Sequence, residues 1–259
     1  MIKYSIIMPY FDRLSQLSHT LVSLRFHYGQ RNDFEVLVIV DCKNRDDVVD
    51  QIKSYRKLFP QLNVLQESGN HEYWTCCHLY NDGVKQSQGE FIVITCPECF
   101  HLTNVLDGLD QTFVTHPNAY VNCACLEVKD FTLAFADSFQ SLSYKDGRWL
   151  QHSKYHHRML NYCTAVSKDG YWKIGGFDER LSPGYACGDN DFRDRVALSG
   201  LPIINRDDLI VLHQEHKSIT AYMTPEKRDE LNARNKAIWK AEMAKRGHYT
   251  EILKGRMGK

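Results

Sequence analysis

Carboxylates and imidazoles recur in this sequence directly behind short apolar runs. Asp12 and Asp41 follow the first two such runs, Glu98 a later one, and His213 and His216 the last. Carboxylate oxygens hold hard divalent cations, and imidazole nitrogen shifts the preference from Mg²⁺ toward Mn²⁺. A further acid, Asp189, stands where a polar helix should start. There it can either take a proton from a hydroxyl or cap the helix, a role worth about 1 kcal/mol. For Asp41 the plainer alternative is a strand-end turn, and for either histidine a packing or turn role. Asp191 and Arg195, four apart, share a helix face and can pair.

Cys96-Pro97-Glu98-Cys99 also reads as C-x-x-C. A redox motif would put its first cysteine at a helix start, where the thiol pKa falls. A zinc ribbon needs a second close pair, and Cys123-x-Cys125 has strand spacing instead. The nine cysteines are an odd number scattered through apolar contexts, as reduced intracellular thiols would be. Cys76, Cys77 and Cys163 read as small core residues.

The elements that must position these groups follow from periodicity. Tyr4 to Met8, ended by Pro9, and Phe34 to Val40 are apolar strands. Between them Leu14, Leu17, Leu21 and Leu24 recur at helical spacing. Such a strand–helix–strand unit implies parallel pairing. The spacing predicts helices over 46–57, 74–87 and 104–114, with strands around Val64 and over 91–95. After Pro117 come a strand at 120–128 and a polar, aromatic stretch at 130–157 forming loops or a small antiparallel ribbon. Helices at 168–174 and 189–198 and a strand at 203–212 follow. Thr224-Pro225-Glu226 opens a long charged helix. In open α/β sheets ligands bind beyond the carboxyl ends of the strands, which is where most of these acids and imidazoles fall.

The chain has 259 residues, 43% hydrophobic and 25% charged, which suits one large α/β domain or a domain with a C-terminal appendage. Lys+Arg and Asp+Glu stand at 32 each, without the basic excess of a polyanion binder. No apolar stretch is long enough to span a bilayer. MIKYSIIMPYF reads as a buried strand rather than a leader, since Asp12 and Arg13 follow at once. The expectation is a cytoplasmic protein, free or held peripherally at a membrane.

Four segments, SIIMPYFDR, EVLVIVD, YNDGVKQSQGEFIVITCPE and GGFDERLSPGYACGDNDFRDR, together resemble the inverting glycosyltransferases of the GT-A fold, family 2 in particular. The resemblance runs from about Ser5 to His216. It implies a Rossmann-like, mostly parallel sheet flanked by helices, with a small antiparallel element and a C-terminal helix. It divides the chain into a GT-A domain over 1–222, with a nucleotide-sugar half at 1–116 and an acceptor and catalytic half at 117–222, and a helical appendage at 223–259.

The resemblance also implies roles. Pro9, Tyr10, Asp12, Asp41, Asn81, Cys96 and Glu98 match positions that meet the nucleotide-sugar donor. Glu98, with His213 and His216, would hold the divalent cation, Mn²⁺ or Mg²⁺, that neutralises a departing diphosphate. Asp189 matches the general base. Asp191, His156 and Arg158 fall where acceptor contacts are made. Three positions depart from the family pattern: Cys96 replaces the first acid of its D-x-D, Gly188 the first acid of its E-D pair, and Tyr80 an arginine. The expected activity is metal-assisted sugar transfer to an acceptor hydroxyl with inversion, the acceptor being a surface glycan or lipid-linked saccharide. The alternatives are transfer to hydroxymethylated bases in DNA, which zero net charge disfavours, or non-catalytic nucleotide-sugar binding. The absence of G-x-G-x-x-G after the first strand argues against a dehydrogenase.

Overall fold

The computed structural model describes residues 1–43, 46–69, 71–133 and 142–246. Strand β1 (Tyr4–Tyr10) and β2 (Phe34–Val40) are buried along their whole length, which is why they read as unbroken apolar runs instead of alternating ones. They pair in parallel from Tyr4↔Phe34 to Tyr10↔Val40. Helix α1 (Leu14–Tyr28) connects them, burying Leu17, Leu21 and Leu24. On its other side β1 pairs with β4 (Phe91–Thr95) only as far as Ile7. Pro9, which has no N–H to donate, therefore sits past the point where that ladder ends, and β1 carries through it to Tyr10.

The nine-stranded sheet has the spatial order β3-β2-β1-β4-β8-β6-β9-β5, with β7 paired to β6. Here β3 is Leu62–Gln66, β5 Cys99–His101, β6 Tyr120–Leu133, β7 Leu142–Gln151, β8 Cys163–Ser167 and β9 Ile203–Gln214. Strands β3, β2, β1 and β4 are parallel, as are β6 and β9; β8 runs antiparallel between β4 and β6, and β5 antiparallel to β9. The β6–β7 hairpin, with its register shifts, is the expected antiparallel ribbon. Helices α2 (Asp46–Ser54), α3 (Cys77–Gln86), α4 (Val105–Thr115), α5 (Lys168–Ile174), α6 (Gly188–Leu198) and α7 (Pro225–Arg246) complete the α/β fold.

Alternate strand residues point to opposite faces, so two cores form. Ile6 and Met8 pack with α1, α2 and α4; Ile7, Leu37 and Ile39 pack with α3, α5 and α6. Among the described residues no helix is long and apolar enough to cross a membrane.

Several boundaries differ from the sequence expectation. The helix expected from Trp74 begins at Cys77, which leaves Trp74 to Cys76 outside it as a non-helical approach. The strand expected to stop at Leu212 continues to Gln214, so His213 lies within it, paired with Cys99. Strands β5 and β8 were not expected. Residues 134–141 of the 130–157 stretch and 247–259 of the appendage lie outside the described residues.

Candidate active site

The carboxyl ends of β1, β2 and β4 open on a cleft of about 470 Å³. Parallel pairing at one register brings Tyr10 and Asp41 side by side, with Asp41 N donating to Tyr10 O at 3.0 Å. Pro9, Tyr10, Asp41, Cys96, Arg158 and Asp189 all line this cleft. Asp41 Oδ1 accepts from Lys43 N at 2.8 Å, and Lys43 Nζ stands 4.9 Å from the Trp74 ring. Trp74 Nε1 is a buried donor with no protein partner among the described residues; in a cleft wall it is a group a ligand can satisfy.

Glu98 lies between β4 and β5 and is 3% exposed; neither it nor His213 nor His216 lines the cleft, although its neighbours Cys96 and Pro97 do. Three cationic or basic groups converge on it. Arg13 Nη1 sits 3.0 and 3.1 Å from its two oxygens, and the Nε2 atoms of His213 and His216 lie 3.6 and 3.5 Å from Oε1. Burial alone would raise the Glu98 carboxyl; the His213 imidazole, the Arg13 guanidinium and the His216 ring overcome it and hold it at about 2. Burial pushes the His216 imidazole below its ordinary value, which favours the neutral, ligating form. One donor atom from each of Glu98, His213 and His216 falls within 4.8 Å of the others. This mixed O/N set suits a divalent cation of the Mn²⁺ class, and Arg13 would share the carboxylate with the ion or give way to it.

Cys96 faces the cleft at the position of the missing acid. Its interaction with the Cys99 thiol, then burial and the Glu98 charge, push its thiol well above the ordinary value. A protonated thiol is a poor ligand and nucleophile, and Cys96 and Cys99 are both free.

Asp189 is the second residue of α6 and is exposed to the cleft, yet protein walls surround it. That enclosure pushes its carboxyl up, against the opposing pull of Asn161, Arg193 and Arg158. The capping alternative does not apply: Cys187 holds the cap position, and Asp189 Oδ1 accepts from Asn161 Nδ2 at 3.0 Å. Asn161 is buried, and its own Oδ1 accepts from Tyr120 Oη at 3.1 Å. The residues leading into α6 are strained, Ala186 and Cys187 having φ of 60° and 67°. Non-glycine residues there cost of the order of 1–3 kcal/mol each. Helix α7 braces them, since Asn235 Nδ2 donates to Leu181 O at 2.8 Å and Ala186 O at 2.9 Å.

Four sequence-derived assignments are corrected by these contacts. Asn81 was expected at the nucleotide, but its amide donates to Phe177 O and Glu179 Oε1 and accepts from Tyr171 Oη and Phe177 N. A primary amide has capacity for four such bonds, so none is left for a ligand; Asn81 instead fastens the Gly176-Phe177 segment beside it. Asp191 was expected at the acceptor, but it is 1% exposed and paired with Arg195 and Arg246. His156 bonds Trp149 O through Nδ1 at 2.6 Å and does not line the cleft, whereas its companion Arg158 does. Asp12, at φ 46°, is bonded by Tyr222 Oη at the rim and does not line the cavity.

Arg13 and Asn161 were missed as site residues. Arg13 is visible as the last residue of SIIMPYFDR; Asn161 carries no motif.

A family model described as Glycosyl transferase family 2 matches residues 5–175, more than half of the chain. The chain belongs to glycosyl transferase family 2. Solved structures share its GT-A fold at low identity. The mannosyltransferase PcManGT from Pyrobaculum calidifontis, in complex with GDP-Man and Mn²⁺, aligns with a TM-score of 0.64 and 13% identity over 99% of this chain and 68% of its own. S. aureus TarS 1-349 in complex with UDP-GlcNAc aligns at 0.68 and 16% over 89% and 64%, and GalNAc-T7 with UDP, GalNAc and Mn²⁺ at 0.67 and 12% over 98% and 54%. This family 2 chain thus spans less than two thirds of the length of the last two. Comparison with curated protein sequences gives no match.

Proposed function

We propose that this protein transfers a sugar from a nucleotide-sugar donor to an acceptor hydroxyl, with Asp189 as general base and inversion at the anomeric carbon. One observation carries the reading: Cys96 and Pro97, the residues immediately before the Glu98–His213–His216 donor set, line the same cleft as Asp189 and Asp41. Cation, nucleoside-binding wall and base would then act on one substrate. In the proposed arrangement residues 1–116 receive the donor, 117–222 supply base and acceptor surface, and 223–259 form the appendage.

Asp41, buried at the end of β2, is suited to accept hydrogen bonds from ribose hydroxyls or a base imide, with Pro9 and Tyr10 as the adjoining wall. Glu98, His213 and His216 would hold the divalent cation, which when bound neutralises charge on the departing diphosphate. The acceptor hydroxyl enters from the Arg158 side, and its oxygen attacks the anomeric carbon as the bond to the diphosphate oxygen breaks. Its proton passes to the Asp189 carboxylate, and the nucleoside diphosphate leaves. A raised carboxyl pKa suits this role, because a base works best with a pKa nearer the operating pH. A single displacement by the acceptor oxygen from the side opposite the leaving group gives inversion. A surface glycan or lipid-linked saccharide is the acceptor class we favour.

Incubation with a panel of UDP-, GDP- and dTDP-sugars plus Mn²⁺ tests the reading. A transferase hydrolyses its own donor slowly even without acceptor. A purely binding protein would be thermally stabilised by one donor and release no free sugar, which would overturn the proposal.

A further inference from the structure

We propose that Arg13 works in two positions: it pairs with Glu98, yields that carboxylate to an incoming divalent cation, and then turns into the cleft to hold the donor diphosphate. On the donor-and-cation reading above, which this extends, Arg13 is the residue that makes the two ligands bind together.

Arg13 stands between β1 and α1, at the cap position of the helix, and its carbonyl accepts from Leu17 N at 2.9 Å. Its backbone is anchored there, so only the long side chain has to move. The guanidinium contact is of a kind that can be exchanged. A single nitrogen, Nη1, serves both Glu98 oxygens, at 3.0 and 3.1 Å, whereas a fork-on-fork pair would use two parallel bonds. Among the described residues Glu98 is the one partner of this guanidinium, which leaves most of its five N–H groups uncommitted. The Arg13 side chain is 20% exposed against 5% for Glu98, and Arg13 lines the cleft while Glu98 does not. It thus connects the buried carboxylate with the open cavity.

Charge sets the order of events. The guanidinium and a divalent ion would meet at the same carboxylate oxygens, where like charges repel. An ion can also draw on His213 and His216, whose Nε2 atoms lie 3.6 and 3.5 Å from Glu98 Oε1. Arg13 has only the carboxylate, so it is the group that gives way.

The cleft lining shows what the released arginine would meet. Its cationic side chains are Arg13, Lys43 and Arg158. Lys43 is committed to Asp41, at 3.5 Å, and to Tyr73 O. Tyr80, at the position where the family pattern carries arginine, lines the cleft without a charge, its hydroxyl donating to Thr95 O at 3.4 Å. Arg13 is the cation that adjoins the Glu98 set, and a planar guanidinium matches phosphate oxygens two at a time.

Binding tests this without turnover. Free Mn²⁺ is counted by electron paramagnetic resonance as it is titrated into the full chain, alone and with UDP, GDP or dTDP in turn. In the wild type Mn²⁺ and one of these nucleotides should raise each other's affinity by one common factor, about 5–150-fold. Arg13→Met should bind Mn²⁺ alone about tenfold more tightly than wild type, yet bind that nucleotide in the presence of Mn²⁺ about tenfold more weakly. Arg13→Lys, which keeps the charge, should return the affinity for Mn²⁺ alone toward wild type. Unchanged or weaker Mn²⁺ binding in Arg13→Met, or unchanged nucleotide binding, overturns the proposal and leaves the donor reading standing. A wild type that binds neither Mn²⁺ nor any of the three nucleotides overturns both. Should Arg13→Met fail to fold, phenylglyoxal labelling of wild-type arginines, mapped by peptide, decides the matter. Arg13 should label faster with Mn²⁺ alone and slower once the nucleotide is added; a rate indifferent to both refutes the two positions.

Discussion

Asn161 holds the Asp189 carboxylate with one end of its amide and the buried Tyr120 hydroxyl with the other, at 3.0 and 3.1 Å. The amide is itself enclosed, so the carboxylate direction is fixed from inside the protein while its open side faces the cleft. In the proposed role of base, Asp189 so placed would need little reorganisation when an acceptor arrives, and positioning of this kind accounts for a large part of what such sites contribute.

Asp189→Asn should lower transfer by about 10²–10⁴-fold, the range lost with a general base, while donor binding followed by thermal shift stays near wild type. Equal loss of both would remove Asp189 from the role of base.

The same substitution has a stability consequence. The folded carboxyl is raised above its unfolded value, so between those two values the folded state binds more protons. Stability then falls as pH rises through that window and stays at its lower level above it. Asp189→Asn should therefore be as stable as wild type or more so in urea unfolding at neutral pH, with the difference shrinking below the unfolded pKa. Clear destabilisation at neutral pH would contradict the assigned shift.

Asn161→Ala tests the positioning bond. Asn161 favours the ionised form of Asp189, so its removal should move the acid limb of the pH–rate profile to higher pH and lower kcat by about 10²-fold. A purely structural role would lower the amount of folded protein without moving that limb.

Much of this fold is legible in the sequence because its first half is built from long, doubly buried strands alternating with amphipathic helices. The expected strands at Phe34–Val40 and Phe91–Thr95 end at the predicted residues. Strand β5 is three residues long, too short for periodicity to register; β8, equal in length to β4, reads CTAVS rather than an unbroken apolar run such as FIVIT, and it is the strand that joins the two halves of the sheet. Site residues were legible where a motif carried them and illegible where only tertiary contact defines them. Asn161 and Asn235 are polar residues whose amide nitrogens donate to partners 28 or more residues away. Asn81 shows the reverse error, a motif residue retained here for its four scaffold bonds.

Glu98→Gln and His216→Asn address the cation. Each should raise the Mn²⁺ concentration needed for half-maximal activity at least tenfold, since losing even an outer partner of a metal site commonly costs 10–100-fold. Full activity of both variants in excess chelator would exclude the Glu98 set as a metal site.

Asn235→Ala tests the reach of α7 into the loop that precedes α6. Asn235 is fully buried and supplies the only two bonds described for Leu181 O and Ala186 O that come from a side chain on α7. Gly184 lies so close beneath it that a Cβ there would meet Asn235 Oδ1 at 2.0 Å. Removing the amide leaves Ala186 O to find water next to a strained Ala186–Cys187 turn, while Leu181 O keeps Thr75 Oγ1 and Gly184 N, a loss of about 1–3 kcal/mol in urea unfolding. Because that turn sets the start of α6, kcat should fall as well, and the acid limb of the pH–rate profile should broaden or move as Asp189 loses its fixed direction. Unchanged kcat in a destabilised variant would show that α7 supports the fold without governing the base.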